Sequence, residues 1–212
     1  MLDLLLPQRC VVCGTGGAQL CAVCRDALPR LEPPLCARCG APTAWPVERC
    51  RECSGRRLAF ASARAAVVYD DAARRLVAAW KERGLRRLAD DVAALLPPAQ
   101  GDVVTFVPPD GRRRLERGYH PAERLARAAA ERWGLPCEPL LSRHGPSRRQ
   151  RGLSLAERRR NVAGAFRSKA APATVVLVDD VYTTGATANS AARALGAGTV
   201  YVVTFARALR DV

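Results

Sequence analysis

No uninterrupted apolar run in these 212 residues approaches the roughly 20 that a membrane-spanning helix needs. The opening "MLDLLLP" is too short for a secretory signal and lacks its basic start. These absences argue against membrane spans and export, and the expected location is cytoplasmic. Acidic residues are in short supply, with 20 Asp plus Glu against 34 Lys plus Arg, a formal net charge of +14. The excess is uneven: residues 111–169 hold 16 Lys plus Arg and 5 Asp plus Glu, which leaves +11 in that segment. A field of this kind draws polyanions such as nucleic acids or phosphorylated small molecules. No residue set marks a side-chain nucleophile, so any chemistry must rest on binding and charge.

Cysteine is the opposite case. Eight of nine cysteines lie in the first 53 residues as four Cys-x-x-Cys pairs, Cys10/Cys13, Cys21/Cys24, Cys36/Cys39 and Cys50/Cys53, with gaps of 7, 11 and 10 residues between pairs. Two residues between cysteines let both thiolates of a tight turn point at one ion, and two such turns complete a tetrahedral Zn²⁺ shell. Two structural zinc sites follow. Sequential pairing, 10/13 with 21/24 and 36/39 with 50/53, suits the short gaps, and a cross-braced pairing stays open. A disulfide framework competes, but the missing export signal and the regular spacing count against it. So small a module has almost no core, and metal binding would supply its folding energy. The ninth, Cys137 after "WGLP", reads as a buried, inert thiol.

The chain divides into a zinc module over 1–57 and a larger domain over 58–212. In the larger domain "ASARAAVVY" reads as a strand, and Leu76, Val77, Trp80, Leu85, Leu88, Val92 and Leu95 recur at helical spacing around a break near Gly84. Trp80 belongs to the core on this pattern. "DVVTFVPP" gives a strand, Ala122–Trp133 a helix, and "TVVLVDD", "GATANSAARALGA" and "TVYVVTFA" repeat strand, helix, strand. The fold class is α/β, a parallel sheet with helices on both faces. Ligands of such sheets bind beyond the carboxyl ends of the strands.

At one such end stands "VVLVDDVYTTGAT", with Val175–Val178 as the strand and Asp179 and Asp180 after it. Two carboxylates there cost stability. They repay it by accepting hydrogen bonds from vicinal ribose hydroxyls or by holding Mg²⁺ through water. Val181 and Tyr182 lead into Thr183, Thr184, Gly185, Ala186 and Thr187, a turn whose amides and hydroxyls converge at the start of the next helix and suit a phosphate.

This stretch resembles the 5-phosphoribosyl-1-pyrophosphate (PRPP) signature of type I phosphoribosyltransferases, with Tyr182 in place of the usual aliphatic residue. With the Cys pairs, "LVAAWKERG", "RRRLERGYHPAERLARA" and "QRGLSLAERRRNVAGAF" in the same order, nearly the whole chain resembles the ComF family, competence-associated proteins with a phosphoribosyltransferase-like domain after an N-terminal zinc finger. The resemblance implies PRPP with Mg²⁺, and Asp179 and Asp180 as the catalytic acids. It places Pro109 and Asp110 in a pyrophosphate loop, where Arg112 and Arg113 suit a diphosphate. His120 is either a ligand contact or a residue that starts the following helix.

Ser154 and Glu157 form a capping box after a basic loop, and Arg148, Arg149, Arg151, Arg158 and Arg159 there suit single-stranded nucleic acid, though aromatics for base stacking are few in it. The family points to single-stranded DNA uptake with other uptake proteins as partners. The alternative is an active transferase of nucleotide or base salvage, in which positioning and charge stabilisation suffice for catalysis.

Overall fold

The computed structural model describes residues 8–109, 120–144 and 164–209. After the helical turn α1 (Ala22–Asp26) come β1 (Ser62–Val68), α2 (Asp71–Glu82), α3 (Leu88–Ala93), β2 (Val103–Phe106), α4 (Pro121–Trp133), β3 (Leu141–Arg143), β4 (Phe166–Ser168), β5 (Thr174–Tyr182), α5 (Ala186–Leu195) and β6 (Thr199–Arg207). Strands β1, β6, β5 and β2 lie side by side in that order, every neighbouring pair parallel, and β3 and β4 form a separate antiparallel pair.

The sheet is coated on both sides, as the order of elements predicts. Val176 and Val178 of β5 turn towards α2, α3 and α4, in a core that includes Leu76, Trp80, Leu88, Val92 and Leu125. Val175 and Leu177 turn the other way, towards Ala188, Ala191 and Leu195 of α5 and Leu141 and Phe166 of the small hairpin. That alternation is the period of two expected of a strand. Trp80 is fully buried against Phe205, with ring centroids 6.1 Å apart.

Two local details answer the sequence reading. The break between α2 and α3 falls at Gly84, whose φ of 69° lies in the left-handed region that favours glycine. His120 starts α4: its Nδ1 accepts a hydrogen bond from the Glu123 amide at 3.2 Å, and its ring meets Phe106 edge-on. Cys137 is half-buried, and burial pushes its thiol up to about 11, which keeps it protonated and unreactive.

The zinc module wraps the free edge of β1. Between its two halves the Val68 amide donates to Pro29 O, the Leu31 amide to Ala66 O, and the Ala63 amide to Arg38 O. The edge is thereby covered rather than left as a template for aggregation. Val11, Val12, Leu20 and Leu28 pack on the face that carries α2, while Cys36, Cys39, Ala41 and Cys53 enter the core shared with α5.

Candidate functional site

The eight paired cysteines gather into two groups, Cys10, Cys13, Cys21, Cys24 and Cys36, Cys39, Cys50, Cys53, each with all ligand atoms within 4.8 Å of one another. The pairing is therefore sequential, and all nine cysteines are free thiols, which removes the disulfide alternative. Tetrahedral coordination with bonds of about 2.3 Å requires sulfurs about 3.8 Å apart. The measured separations are 3.7 Å for Cys13–Cys21, 3.6 Å for Cys36–Cys53 and 3.5 Å for Cys39–Cys50. Backbone amides point at the sulfurs, Cys24 N at Cys21 Sγ (3.5 Å) and Cys50 N at Cys36 Sγ (3.3 Å), as suits thiolates. The donor set fits structural zinc at both places.

At the other candidate site the strand runs further than its sequence suggests. Rather than stopping at Val178, β5 stays paired to β6 through Asp179 and up to Tyr182, opposite Thr204 to Arg207. Adjacent residues of a strand face opposite ways, so the two acids part company. Asp180 is 6% exposed and its Oδ2 forms an ion pair with Lys81 Nζ of α2. Asp179 turns to the α5 side, where it lines a small concavity with Val181, Tyr182, Thr183, Gly185, Ala186, Thr187 and Thr204. Each carboxylate also accepts the next amide in the chain, Asp180 N at 2.9 Å and Val181 N at 2.8 Å. Burial pushes the Asp179 carboxyl up to about 6, against the pull of Lys81 and Arg143.

The turn after β5 is fixed by Tyr182 and Gly185. Gly185 has φ 69°, and a Cβ there would collide with the Tyr182 phenol. Tyr182 is buried, as its replacement of an aliphatic residue requires. Its ring meets Phe60 edge-on at 6.4 Å and carries the Arg207 guanidinium 4.7 Å from its centroid. Thr184 is buried and its Oγ1 accepts the Ala186 amide at 3.2 Å. Helix α5 has Gly185 at its N-cap, which brings no side chain to cap it; apart from the Ala186 amide, taken by Thr184, the positive end of its dipole faces the concavity. An anion fits there on both counts.

Pro109 is partly exposed just past β2, next to the Val107 amide that donates to Val178 O at 3.2 Å. Asp110, Arg112, Arg113, Arg148, Arg149, Arg151, Arg158 and Arg159 lie outside the described residues. Three contributors escape a reading of sequence. Lys81 sits within a quoted motif, but only the fold brings it to Asp180. Arg143, whose charge acts on Asp179, stands on a three-residue strand with no periodicity to mark it. Arg207 did carry a signal, a charge at the end of an apolar strand. It is 1% exposed, donates to Cys39 O at 2.7 Å, pairs with Glu52 at 2.7 Å and rests on Tyr182, so one side chain joins the second zinc site to the turn after β5.

The chain is similar to several known proteins. Residues 1–54 match the family model of the double zinc ribbon domain. The DNA utilization protein YhgH of Salmonella typhimurium is 29% identical over 227 residues, covering 97% of this chain and 100% of that protein. The competence protein ComFC of Bacillus subtilis is 25% identical over 190 residues, 84% of this chain and 78% of that protein. Among solved structures, glutamine phosphoribosylpyrophosphate amidotransferase from B. subtilis, complexed with ADP and GMP, is 26% identical over 55% of this chain and 25% of that one, at a TM-score of 0.35. No helix among the described residues is long and apolar enough to cross a membrane. Along most of its length the chain is thus similar to YhgH and ComFC, with a double zinc ribbon over residues 1–54 joined to a parallel sheet.

Proposed function

We propose that this protein binds Mg-PRPP, or a closely related phosphoribosyl ligand, at the carboxyl end of β5, and that it does so as a cytoplasmic handler of single-stranded DNA in natural competence. The observation that carries the pocket is the convergence of Asp179 with Thr183, Gly185, Ala186 and Thr187 at the start of α5, whose N-cap is Gly185. The first amides of α5 and the Thr183 and Thr187 hydroxyls hold the 5′-phosphate. Asp179, ionised above pH 6, accepts hydrogen bonds from the ribose hydroxyls. Asp180 takes a different part: locked to Lys81, it fixes the strand from which Asp179 projects. Pro109 and Asp110, with Arg112 and Arg113, receive the diphosphate. Bound Mg²⁺ would offset charge on that diphosphate, with Asp179 the acid placed to hold it through water.

The DNA role draws on the names of the relatives, one a DNA utilization protein and the other a competence protein, and on the basic segment 111–169 with Arg148, Arg149, Arg151, Arg158 and Arg159. Titration calorimetry with Mg-PRPP, ribose 5-phosphate and mononucleotides tests the pocket. Mg-PRPP should bind tightest, in the micromolar to millimolar range. No PRPP binding, alongside equal binding of the other two, would reject the pocket. A screen of nitrogen acceptors, scored by pyrophosphate release, separates a binding protein from a working transferase.

A further inference from the structure

Trp45 is 68% exposed, while Trp80 is fully buried. A tryptophan is the side chain that gains most from burial, about 25 cal/mol for each Å² covered, and here it stands in a zinc ribbon with solvent on most of its surface. Lone exposed apolar residues are ordinary. The surroundings of Trp45 are not: it lines an open concavity of about 780 Å³ together with Arg49 and Arg51. Arg49 reaches onward, its Nη1 donating to Arg56 O at 3.0 Å. Arg56 and Arg57 then line a second concavity of about 480 Å³ with Arg193 of α5, and Arg193 donates to Arg57 O at 3.5 Å. The same concavity is bounded by Ala186, which also borders the concavity at Asp179.

An aromatic ring, a set of guanidinium groups and the start of α5 are thus linked from one concavity to the next through the Arg49 hydrogen bond to Arg56. Over residues 42–57 the positive charges are Arg49, Arg51, Arg56 and Arg57 and the negative ones Glu48 and Glu52, of which Glu52 is taken up by Arg207. The balance favours an anionic partner. A flat ring beside spaced cations matches a chain that alternates π-faces with phosphates, which is a single strand of nucleic acid rather than a duplex with its bases stacked inside. An acidic peptide would use the arginines and leave the ring idle.

We infer that the zinc ribbon is itself the single-stranded DNA platform: a base stacks on Trp45 and the following phosphates run along Arg49, Arg56, Arg57 and Arg193 towards the start of α5. This rests on the DNA-handling reading above and assigns that role to residues of the zinc ribbon and α5.

The test uses the full zinc-loaded chain and fluorescence anisotropy with labelled oligothymidylate. Trp45→Ala should weaken binding by about 5- to 100-fold, the usual loss for one stacked base. On an abasic oligomer of equal length the same variant should bind like wild type. Arg49→Gln with Arg57→Gln should flatten the slope of log affinity against log salt by about 0.7 for each phosphate contact removed. Two zinc per chain in every variant establishes that the ribbon is intact. If both variants bind oligothymidylate as wild type does, the platform is overturned while the DNA reading stands with its site elsewhere. If wild type fails to bind at low salt, both fall. Tenfold tighter binding of oligouridylate would overturn the assignment to DNA.

Discussion

The two faces of the sheet use the same kinds of group in different ways. On the face of α2, α3 and α4, Asp180 is buried and closed off by Lys81, and the first zinc site is the more open one, with Cys10 buried but Cys13 exposed and Cys21 and Cys24 half-buried. On the face of α5 the arrangement is reversed. Asp179 opens onto a concavity, while the second zinc site is packed into the core, with Cys36 and Cys53 at 0% exposure and Cys39 at 2%. A charge on the first face is paired within the protein. On the second, the metal site and Arg207 stiffen a turn whose remaining charge faces outwards. On the function proposed above, a motif of two acids holds two roles, one that secures a strand and one that meets a ligand.

The largest effects should come from unequal damage to the zinc sites. Cys53→Ser should cost one zinc per chain and lower the melting temperature of the whole protein by more than about 10 °C, because metal binding there is also core formation. Cys13→Ser should cost one zinc with a loss of only about 2 to 4 °C. Elemental analysis with thermal melts checks both, and equal losses would erase the contrast between the faces.

Asp180→Asn comes next. It leaves the Lys81 ammonium beside a neutral amide, and since Lys81 is 32% exposed the cost falls below that of a fully buried pair, at about 2 kcal/mol. Urea denaturation should show it, and adding Lys81→Met should recover part of the loss. Gly185→Ala should cost roughly 1 to 3 kcal/mol from its positive φ and the clash with Tyr182. Tyr182→Leu in the same chain should relieve the clash and leave the backbone strain.

The smallest effect is one of pH. The folded Asp179 carboxyl titrates near 6, above an ordinary value of about 4, so the native state holds the proton more tightly than the unfolded chain does. Its contribution to stability is greatest below pH 4 and is lost as pH rises through about 6. A rise from about 4 to about 6 is worth at most about 3 kcal/mol, and solvent reaching the partly exposed carboxylate screens much of that. Asp179→Asn should therefore gain about 1 kcal/mol on wild type between pH 4 and pH 7, with little change beyond. Denaturation series at fixed ionic strength check the sign.

Much of this was legible in the sequence. Two-residue spacing makes the zinc pairs plain, and the apolar runs of β2, β5 and β6 reveal a buried parallel sheet because both faces are covered. Local chemistry marks a helix boundary too, since Gly84 stands at the break between α2 and α3. The role of His120 needed the structure, which makes it the residue that caps α4. What stayed hidden depends on distant partners. The end of β5 looks like Val178 because charged residues follow, yet β6 continues the ladder to Tyr182. The separation of Asp179 from Asp180 follows from that extension, and only the fold supplies Lys81 and Arg143. The hairpin of β3 and β4 is three residues a side, too short to leave a pattern.

The central claim, that Asp179 meets a ligand while Asp180 serves the fold, is tested most directly by titrating Mg-PRPP into the wild type and the two single variants. Asp179→Asn should weaken binding about 10- to 100-fold, the loss of charge-assisted hydrogen bonds to ribose, without lowering the melting temperature. Asp180→Asn should lower the melting temperature and, measured where the protein is folded, bind within a few-fold of wild type. Unchanged affinity in Asp179→Asn, with binding abolished in folded Asp180→Asn, would contradict the account.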